Sequence, residues 1–106
     1  IMPDLKYCGG AAEAVAAGQS AVALGKGFSI HSPSGPISLL SSGHVTAAVD
    51  GAMFLEHAID EVDWRPEIIQ PAEQVENGQL LINRTPGLGS RLNLDLVSSK
   101  GDHLII

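Results

Sequence analysis

Three short apolar segments alternate with two helix-forming stretches over the first 55 residues of the chain. The apolar segments, which have the length and composition of β-strands, are residues 1–6, 28–30 and 52–55. Residues 11–24 are rich in alanine and predict a helix, and residues 37–49 predict a second helix because Pro36 suits a first helical position. The order strand, helix, strand, helix, strand predicts right-handed crossovers and a parallel sheet of the α/β class.

The alternation ends after Glu56. Residues 57–78 are acidic and contain two prolines, which predicts an extended surface segment. Residues 80–82 predict an edge strand, and residues 92–97 predict either a short helix or a last strand. Because the strand pattern begins at residue 1, we expect residues 1–106 to be an incomplete domain whose core continues before them, with residues 57–106 including its trailing segment.

Composition narrows the classes of partner. The chain has 12 acidic and 6 basic residues and a formal net charge of −6, which argues against a nucleic-acid partner and against a basic membrane anchor. No run of about 18 apolar residues predicts a membrane span. The single cysteine, Cys8, excludes an internal disulfide and favours a structural thiol in a cytoplasmic protein.

A titratable residue stands at the end of each predicted strand. These residues are Asp4, His31 and Glu56, separated by 27 and 25 residues, about one strand-plus-helix unit each. The carboxyl ends of parallel strands share one rim, where active sites of β/α proteins lie. Neighbouring strands are about 4.8 Å apart, so we expect Asp4 to hydrogen-bond His31 and to raise its basicity. That pair would make a general base, and Glu56 would face the same pocket as a hydrogen-bond donor or a further charge.

Each of these residues also has an ordinary structural interpretation. Asp4 could be a turn residue, His31 a core histidine bound to a backbone carbonyl, and Glu56 the start of a solvated loop. Two other histidines are weaker candidates: His44 is expected to pack on a helix, and His57 to lie at the rim or in a subunit contact. The residues 32–36, SPSGP, lack the glycine spacing of a phosphate loop, although their N–H groups could help to hold an anionic substrate.

Four motifs give the chain a family resemblance: MPDLKYCGG, SIHSPSGP, FLEHAID and NRTPGLG. They resemble the C-terminal half of the barrel in the enolase superfamily, in particular mandelate racemase and acid-sugar dehydratases such as galactonate dehydratase. The resemblance extends over nearly the whole chain. It implies that the chain is the C-terminal portion, about strands 6–8 plus the tail, of a (β/α)8 TIM-type barrel.

The resemblance also implies roles for the three strand-end residues. His31 would remove the proton α to a carboxylate or return one, Asp4 would orient and charge it, and Glu56 would donate a hydrogen bond to the enediolate. The implied metal is Mg²⁺, a hard cation that stabilises such charge. Its carboxylate ligands would come from the third, fourth and fifth strands, outside this chain. The opposing base on the second strand and the capping domain would also lie outside it.

Three functions remain open from the sequence. The favoured one is the C-terminal part of a magnesium-dependent acid-sugar dehydratase, because SPSGP after the histidine resembles those enzymes. The second is a racemase or epimerase of a 2-hydroxy acid on the same scaffold, and the third is a non-catalytic β/α fragment or interaction module. If either of the two enzyme hypotheses holds, we expect a sugar-acid substrate, a homo-oligomer at full length and no activity from the 106 residues alone.

Overall fold

A computed structural model of the chain describes residues 1–59 and 62–101. Both predicted helices are present: α1 spans Ala11–Ala23 and α2 spans Pro36–Ala47. Proline occupies the first turn of α2, where its missing N–H leaves no intrahelical bond unmade. The chain turns out of α1 at Gly25, whose φ of 67° lies in the left-handed region that favours glycine.

The three apolar segments do not form regular strands, so the predicted strands at residues 1–6, 28–30 and 52–55 are wrong in that respect. Parallel pairing is nevertheless retained between the first two segments. The Ile1 amine donates to the Gly27 carbonyl at 2.8 Å, the Ser29 N–H to the Ile1 carbonyl at 3.1 Å and the His31 N–H to the Pro3 carbonyl at 3.0 Å. This order of donors and acceptors is that of a parallel ladder.

Proline explains why the ladder is incomplete. Pro3 stands where a parallel strand would donate an N–H to the carbonyl of Ser29, and proline has no N–H. The third segment is joined to the second by one backbone bond, from the Met53 N–H to the Phe28 carbonyl at 2.8 Å. A side-chain bond, from Ser29 Oγ to the Phe54 carbonyl at 2.7 Å, supplements it. The segments therefore stay adjacent without continuous strand geometry.

The second half of the chain forms small antiparallel units. In chain order they are a 3-10 turn Arg65–Glu67, β1 Ile69–Gln70, β2 Val75–Glu76, β3 Gln79–Leu80, β4 Arg91–Leu92 and α3 Leu94–Lys100. Strands β1 and β4 pair with Ile69 opposite Leu92, and β2 and β3 pair with Val75 opposite Leu80. Asn77 and Gly78 connect β2 to β3 with φ of 51° and 75°, the left-handed pair that a two-residue hairpin requires.

These units correct the expectations for the tail. The predicted surface segment 57–78 contains a buried arginine, Arg65, and a buried core residue, Ile69, because β1 pairs with β4 and Arg65 pairs with an acidic side chain. Asp60 and Glu61 of that segment lie outside the described residues. The edge strand predicted at 80–82 corresponds to β3, which begins one residue earlier and spans Gln79–Leu80. Of the two alternatives for 92–97, the helix is present, and Asn93 caps it by accepting from the Leu96 N–H at 3.2 Å.

One buried cluster joins the helices to the second segment. It consists of Ala14, Ala21, Phe28, Ile30, Val45 and Val49. Side chains alternate along extended backbone, so the inward Phe28 and Ile30 leave His31 on the opposite side. The core packing of the second segment therefore determines the direction of the candidate catalytic histidine. No helix in the described ranges is long and apolar enough to cross a membrane.

We expect Gly18→Ala in α1 to destabilise the full-length protein. An added Cβ would lie 2.8 Å from two ring carbons of Phe28 and 2.9 Å from a methyl of Val49, closer than packed carbons allow. Overpacking of this kind costs about 1–3 kcal/mol and would outweigh the gain of about 1 kcal/mol in helix propensity. Chemical denaturation should show the loss, whereas Gln19→Ala at the exposed neighbouring position should change stability by less than about 0.5 kcal/mol. An increase in stability for Gly18→Ala would refute this packing.

Candidate active site

Asp4 and His31 contact each other directly. The Nδ1 atom of His31 lies 3.0 Å from Oδ2 of Asp4. The Asp4 side chain is only 8% exposed, whereas that of His31 is 47% exposed, so the carboxylate lies behind an accessible ring. The bond from the His31 N–H to the Pro3 carbonyl sets this pairing by aligning the first two segments. The structure thus brings together the first two residues predicted for the site.

Glu56 approaches the other ring nitrogen. Its Oε2 atom lies 4.0 Å from Nε2 of His31 and accepts a hydrogen bond from the Ser32 N–H at 2.9 Å. The side chain of Glu56 is 39% exposed, so one carboxyl oxygen is anchored while the group still reaches solvent. The three predicted residues therefore lie in a row, with the imidazole between a buried and a half-exposed carboxyl group.

The surroundings of Asp4 favour its ionised form. Burial by itself raises the pKa of Asp4. The hydrogen bonds from the Lys6 N–H and from His31, with the attraction of the Lys6 ammonium, outweigh that effect and hold the pKa below its ordinary value of 3.8. An ionised carboxylate only accepts hydrogen bonds, so Nδ1 of His31 carries the proton of this contact. In the neutral ring, Nε2 is then the nitrogen with a free lone pair.

The lowered pKa predicts an acid-dependent loss of stability. Because the folded state holds the Asp4 carboxyl below its unfolded pKa of 3.8, the resulting stabilisation is fully present above that value. It is lost as the pH falls through the lower folded-state pKa. Unfolding of the full-length protein, followed between about pH 6 and pH 3, should show the advantage of the wild type over Asp4→Asn shrinking as the pH falls. A pH-independent difference between the two proteins would contradict the assignment.

A second group of residues, not predicted from the sequence, contacts Asp4 and the loop that follows His31. The Lys6 N–H donates to Oδ1 of Asp4 at 2.8 Å, and the Lys6 ammonium lies 3.5 Å from Oδ2. The same ammonium donates to Oγ of Ser34, and Arg65 donates to the Ser34 carbonyl at 3.3 Å. Arg65 in turn donates to Glu73 at 2.6 Å. An aspartate side chain often accepts a hydrogen bond from the backbone N–H two residues later, so the contact of Lys6 with Asp4 has a local signal in the sequence. No local signal points to Arg65.

The other candidates lie apart from this row. Nε2 of His44 is buried without a hydrogen-bond partner among the described residues, as expected for a packing histidine. His57 lines a separate cavity of about 200 Å³ with Arg65 and Glu73. Cys8 is a free, partly buried thiol that packs against the core cluster. Within residues 1–59 and 62–101, no three His, Cys, Asp or Glu side chains are grouped to hold a metal ion.

The chain belongs to the enolase C-terminal domain-like family, whose model matches residues 1–96. The match confirms the resemblance to the enolase superfamily that the four motifs indicated. It also confirms the α/β class, with the fold of an enolase C-terminal domain.

Individual relatives point to the same group. D-xylonate dehydratase from Haloferax volcanii is 30% identical over 99 residues, which are 93% of this chain and 24% of that protein. An enolase of the mandelate racemase subgroup from Agrobacterium tumefaciens is 26% identical, with a TM-score of 0.82 over 93% of this chain and 27% of that one. The chain thus spans about a quarter of the length of these relatives.

A third relative was solved with ligands. It is a protein described as an L-alanine-DL-glutamate epimerase from Burkholderia xenovorans, with magnesium and fumarate bound. It is 23% identical, with a TM-score of 0.79. The match covers 85% of this chain and 22% of that protein. At this identity the likeness establishes a shared fold.

Proposed function

We propose that the chain is the C-terminal part of a magnesium-dependent acid-sugar dehydratase. The observation that carries the proposal is the contact of a buried carboxylate with Nδ1 of His31, which leaves Nε2 as the basic nitrogen. The 30% identity to D-xylonate dehydratase supports a sugar acid as the class of substrate. On this account the three apolar segments are the sixth, seventh and eighth strands of a (β/α)8 barrel, in agreement with the parallel hydrogen bonds between the first two.

The reaction assigns one step to each residue. Nε2 of His31 takes the proton from the carbon next to the substrate carboxylate, and the electrons of that C–H bond form an enediolate. Asp4 holds the ring in the required tautomer and stabilises the imidazolium that results. Glu56, in its protonated form, donates a hydrogen bond to an enediolate oxygen. The β-hydroxyl accepts that proton from the His31 imidazolium and leaves as water when its C–O bond breaks, which restores the neutral base. The enol product then gives up its O–H proton and gains one on carbon 3, which yields a 2-keto-3-deoxy acid.

The metal ligands of this proposal lie outside the described residues. Among the described residues, Asp4 and Glu56 are the carboxylates paired with His31, and Asp4 is already engaged by Lys6 and His31. Mg²⁺, when bound by the rest of the enzyme, would stabilise the negative charge of the enediolate. The magnesium-bound epimerase relative supports such an ion. Cytoplasmic location and homo-oligomeric assembly of the full-length protein stay predictions.

Racemisation or epimerisation on the same scaffold is the second candidate, supported by the epimerase relative. It requires a second base on the opposite face of the substrate, which the described residues do not include. The non-catalytic alternative is less well supported, because a buried carboxylate paired with an accessible histidine is typical of a base rather than of a solvated rim.

A substrate screen of the full-length protein tests the proposal. Purified enzyme would be incubated with a library of sugar acids in the presence of Mg²⁺, and with chelator as the control. The proposal predicts a 2-keto-3-deoxy acid from at least one sugar acid, dependent on Mg²⁺. An epimer without any keto acid would favour the second candidate, and no conversion or α-proton exchange across the library would contradict both.

A further inference from the structure

Glu56 is held by the loop that follows His31. This loop spans residues 32–35 and connects His31 to α2. Its Ser32 is buried, and the Ser32 N–H donates to Oε2 of Glu56 at 2.9 Å. A carboxyl oxygen can accept this bond whether or not the other oxygen carries a proton, so the contact fits the donor role proposed for Glu56. The position of the Ser32 N–H therefore helps to fix where Glu56 presents its other oxygen.

The backbone of this loop is stiff. Pro33 and Pro36 lock their own φ angles at about −65°. Each proline also restricts the residue before it to an extended conformation. Gly35, before Pro36, accordingly has a ψ of −179°, and Ser32, before Pro33, is restricted in the same way. Because few dihedral angles between the Ser32 N–H and the Ser34 carbonyl remain free, a shift of Ser34 also moves the Ser32 N–H.

Ser34 is held in turn by the buried side chain of Arg65. Nη1 of Arg65 donates to the Ser34 carbonyl at 3.3 Å, and its Nε donates to Glu73 at 2.6 Å. The side chains of Arg65 and Glu73 are only 10% and 9% exposed, so the pair gives this contact a fixed support. A guanidinium is a planar fork that can serve both acceptors at once, whereas an ammonium is a point charge. The Lys6 ammonium adds a contact to Oγ of Ser34, but from a side chain that is 44% exposed.

We propose that Arg65 is a positioning residue that acts through Glu56. Supported by Glu73, Arg65 fixes the Ser34 carbonyl. The stiff loop passes this constraint to the Ser32 N–H, which holds Glu56 in place. The inference rests on the proposed function for its effect on catalysis, whereas its geometric part concerns the Ser32 N–H and can be measured without any substrate.

The first test is the effect of Arg65→Lys on the steady-state kinetics of the full-length enzyme with Mg²⁺ and a sugar acid that it converts. Lysine can keep the ion pair with Glu73 but cannot also serve the Ser34 carbonyl with the same fork. We expect kcat to fall by about 10-fold with KM nearly unchanged, because Glu56 is displaced rather than removed. Arg91→Lys at an exposed position of β4 is the matched control and should leave both constants unchanged. An unchanged kcat in Arg65→Lys would overturn the proposal.

A double-mutant cycle separates positioning from general stability. If Arg65 acts through Glu56, adding Arg65→Lys to Glu56→Leu should lower kcat by less than about 2-fold further. If Arg65 only stabilises the fold, the two losses should be independent and multiply, which would contradict the proposal. If Arg65→Lys does not fold, Glu73→Asp keeps both charges and withdraws the acceptor by one methylene. It should give a smaller loss of kcat with the same dependence on Glu56, and an independent loss there would again contradict the proposal.

The second test uses the full-length protein without substrate. Hydrogen exchange of the Ser32 N–H would be followed by NMR, and Glu56→Leu, which removes the acceptor, defines the exchange rate of the unbonded N–H. Arg65→Lys should accelerate exchange by about 3–10-fold relative to the wild type and to Arg91→Lys, as expected for one weakened hydrogen bond.

This second test distinguishes failure of the inference from failure of the proposed function. Unchanged exchange in Arg65→Lys would refute the role of Arg65 even if the enzyme dehydrates a sugar acid. Faster exchange in a protein that converts no sugar acid would retain the positioning of the Ser32 N–H and reject the proposed function.

Discussion

His31→Asn in the full-length protein is expected to lower the exchange of the substrate α-proton with solvent deuterium by about 10²–10⁴-fold, the usual worth of a general base. Asparagine is close in size and can still donate a hydrogen bond to the buried Asp4 carboxylate. It has no basic nitrogen to take the place of Nε2. The substitution therefore removes the proton acceptor while keeping a hydrogen bond to Asp4.

Two controls make this result specific. Mg²⁺ affinity should remain close to that of the wild type, because the proposed ligands lie outside the chain, and calorimetry would measure it. His57→Asn should retain exchange, because His57 lines a separate cavity. Normal exchange in His31→Asn, or equal losses in the two variants, would show that His31 is not the base.

Replacement of Glu56 should have the second-largest effect, through kcat rather than KM. Loss of one hydrogen-bond donor to a developing oxyanion lowers kcat by about 10²–10³-fold, and we expect this loss for Glu56→Leu. Leucine also leaves the Ser32 N–H without its acceptor. Glu56→Gln is the matched variant, since its amide can accept from Ser32 and still donate to the substrate.

The comparison of these two variants distinguishes a donor from a charge. If Glu56 acts as a hydrogen-bond donor, steady-state kinetics should show that glutamine retains much more of kcat than leucine does. If Glu56→Gln lowers kcat as much as Glu56→Leu does, an ionised carboxylate is required at this position, and the donor role assigned to Glu56 is wrong. A change confined to KM in both variants would place Glu56 in substrate binding alone.

Local signals in the sequence were sufficient to predict the helices and the proximity of the three strand-end residues. Alanine content predicted α1, Pro36 predicted the start of α2, and the spacing of one β/α unit predicted that Asp4 and His31 would be neighbours. The ladder between the first two predicted strands is incomplete because one residue, Pro3, has no N–H to donate. The direction of His31 follows from the burial of its neighbours, which a period of two residues already implies.

Features that depend on contacts distant in sequence could not be predicted in this way. Arg65 is buried because Glu73 and the Ser34 carbonyl satisfy its charge, and neither partner is marked by a local pattern. The contact of the Lys6 ammonium with Ser34 depends equally on residues distant in sequence, since Ser34 follows the whole of α1. By contrast, Asn77-Gly78 is a local hairpin signal, and its significance for β2 and β3 was missed.

The most direct measurement is a crystal structure of the full-length protein with Mg²⁺ and a non-reactive sugar-acid analogue. We predict that Nε2 of His31 lies about 3–3.5 Å from the carbon next to the carboxylate, with Asp4 at Nδ1 and Glu56 at a carboxylate oxygen of the analogue. A bound analogue with His31 directed away from that carbon, or separated from Asp4, would contradict it.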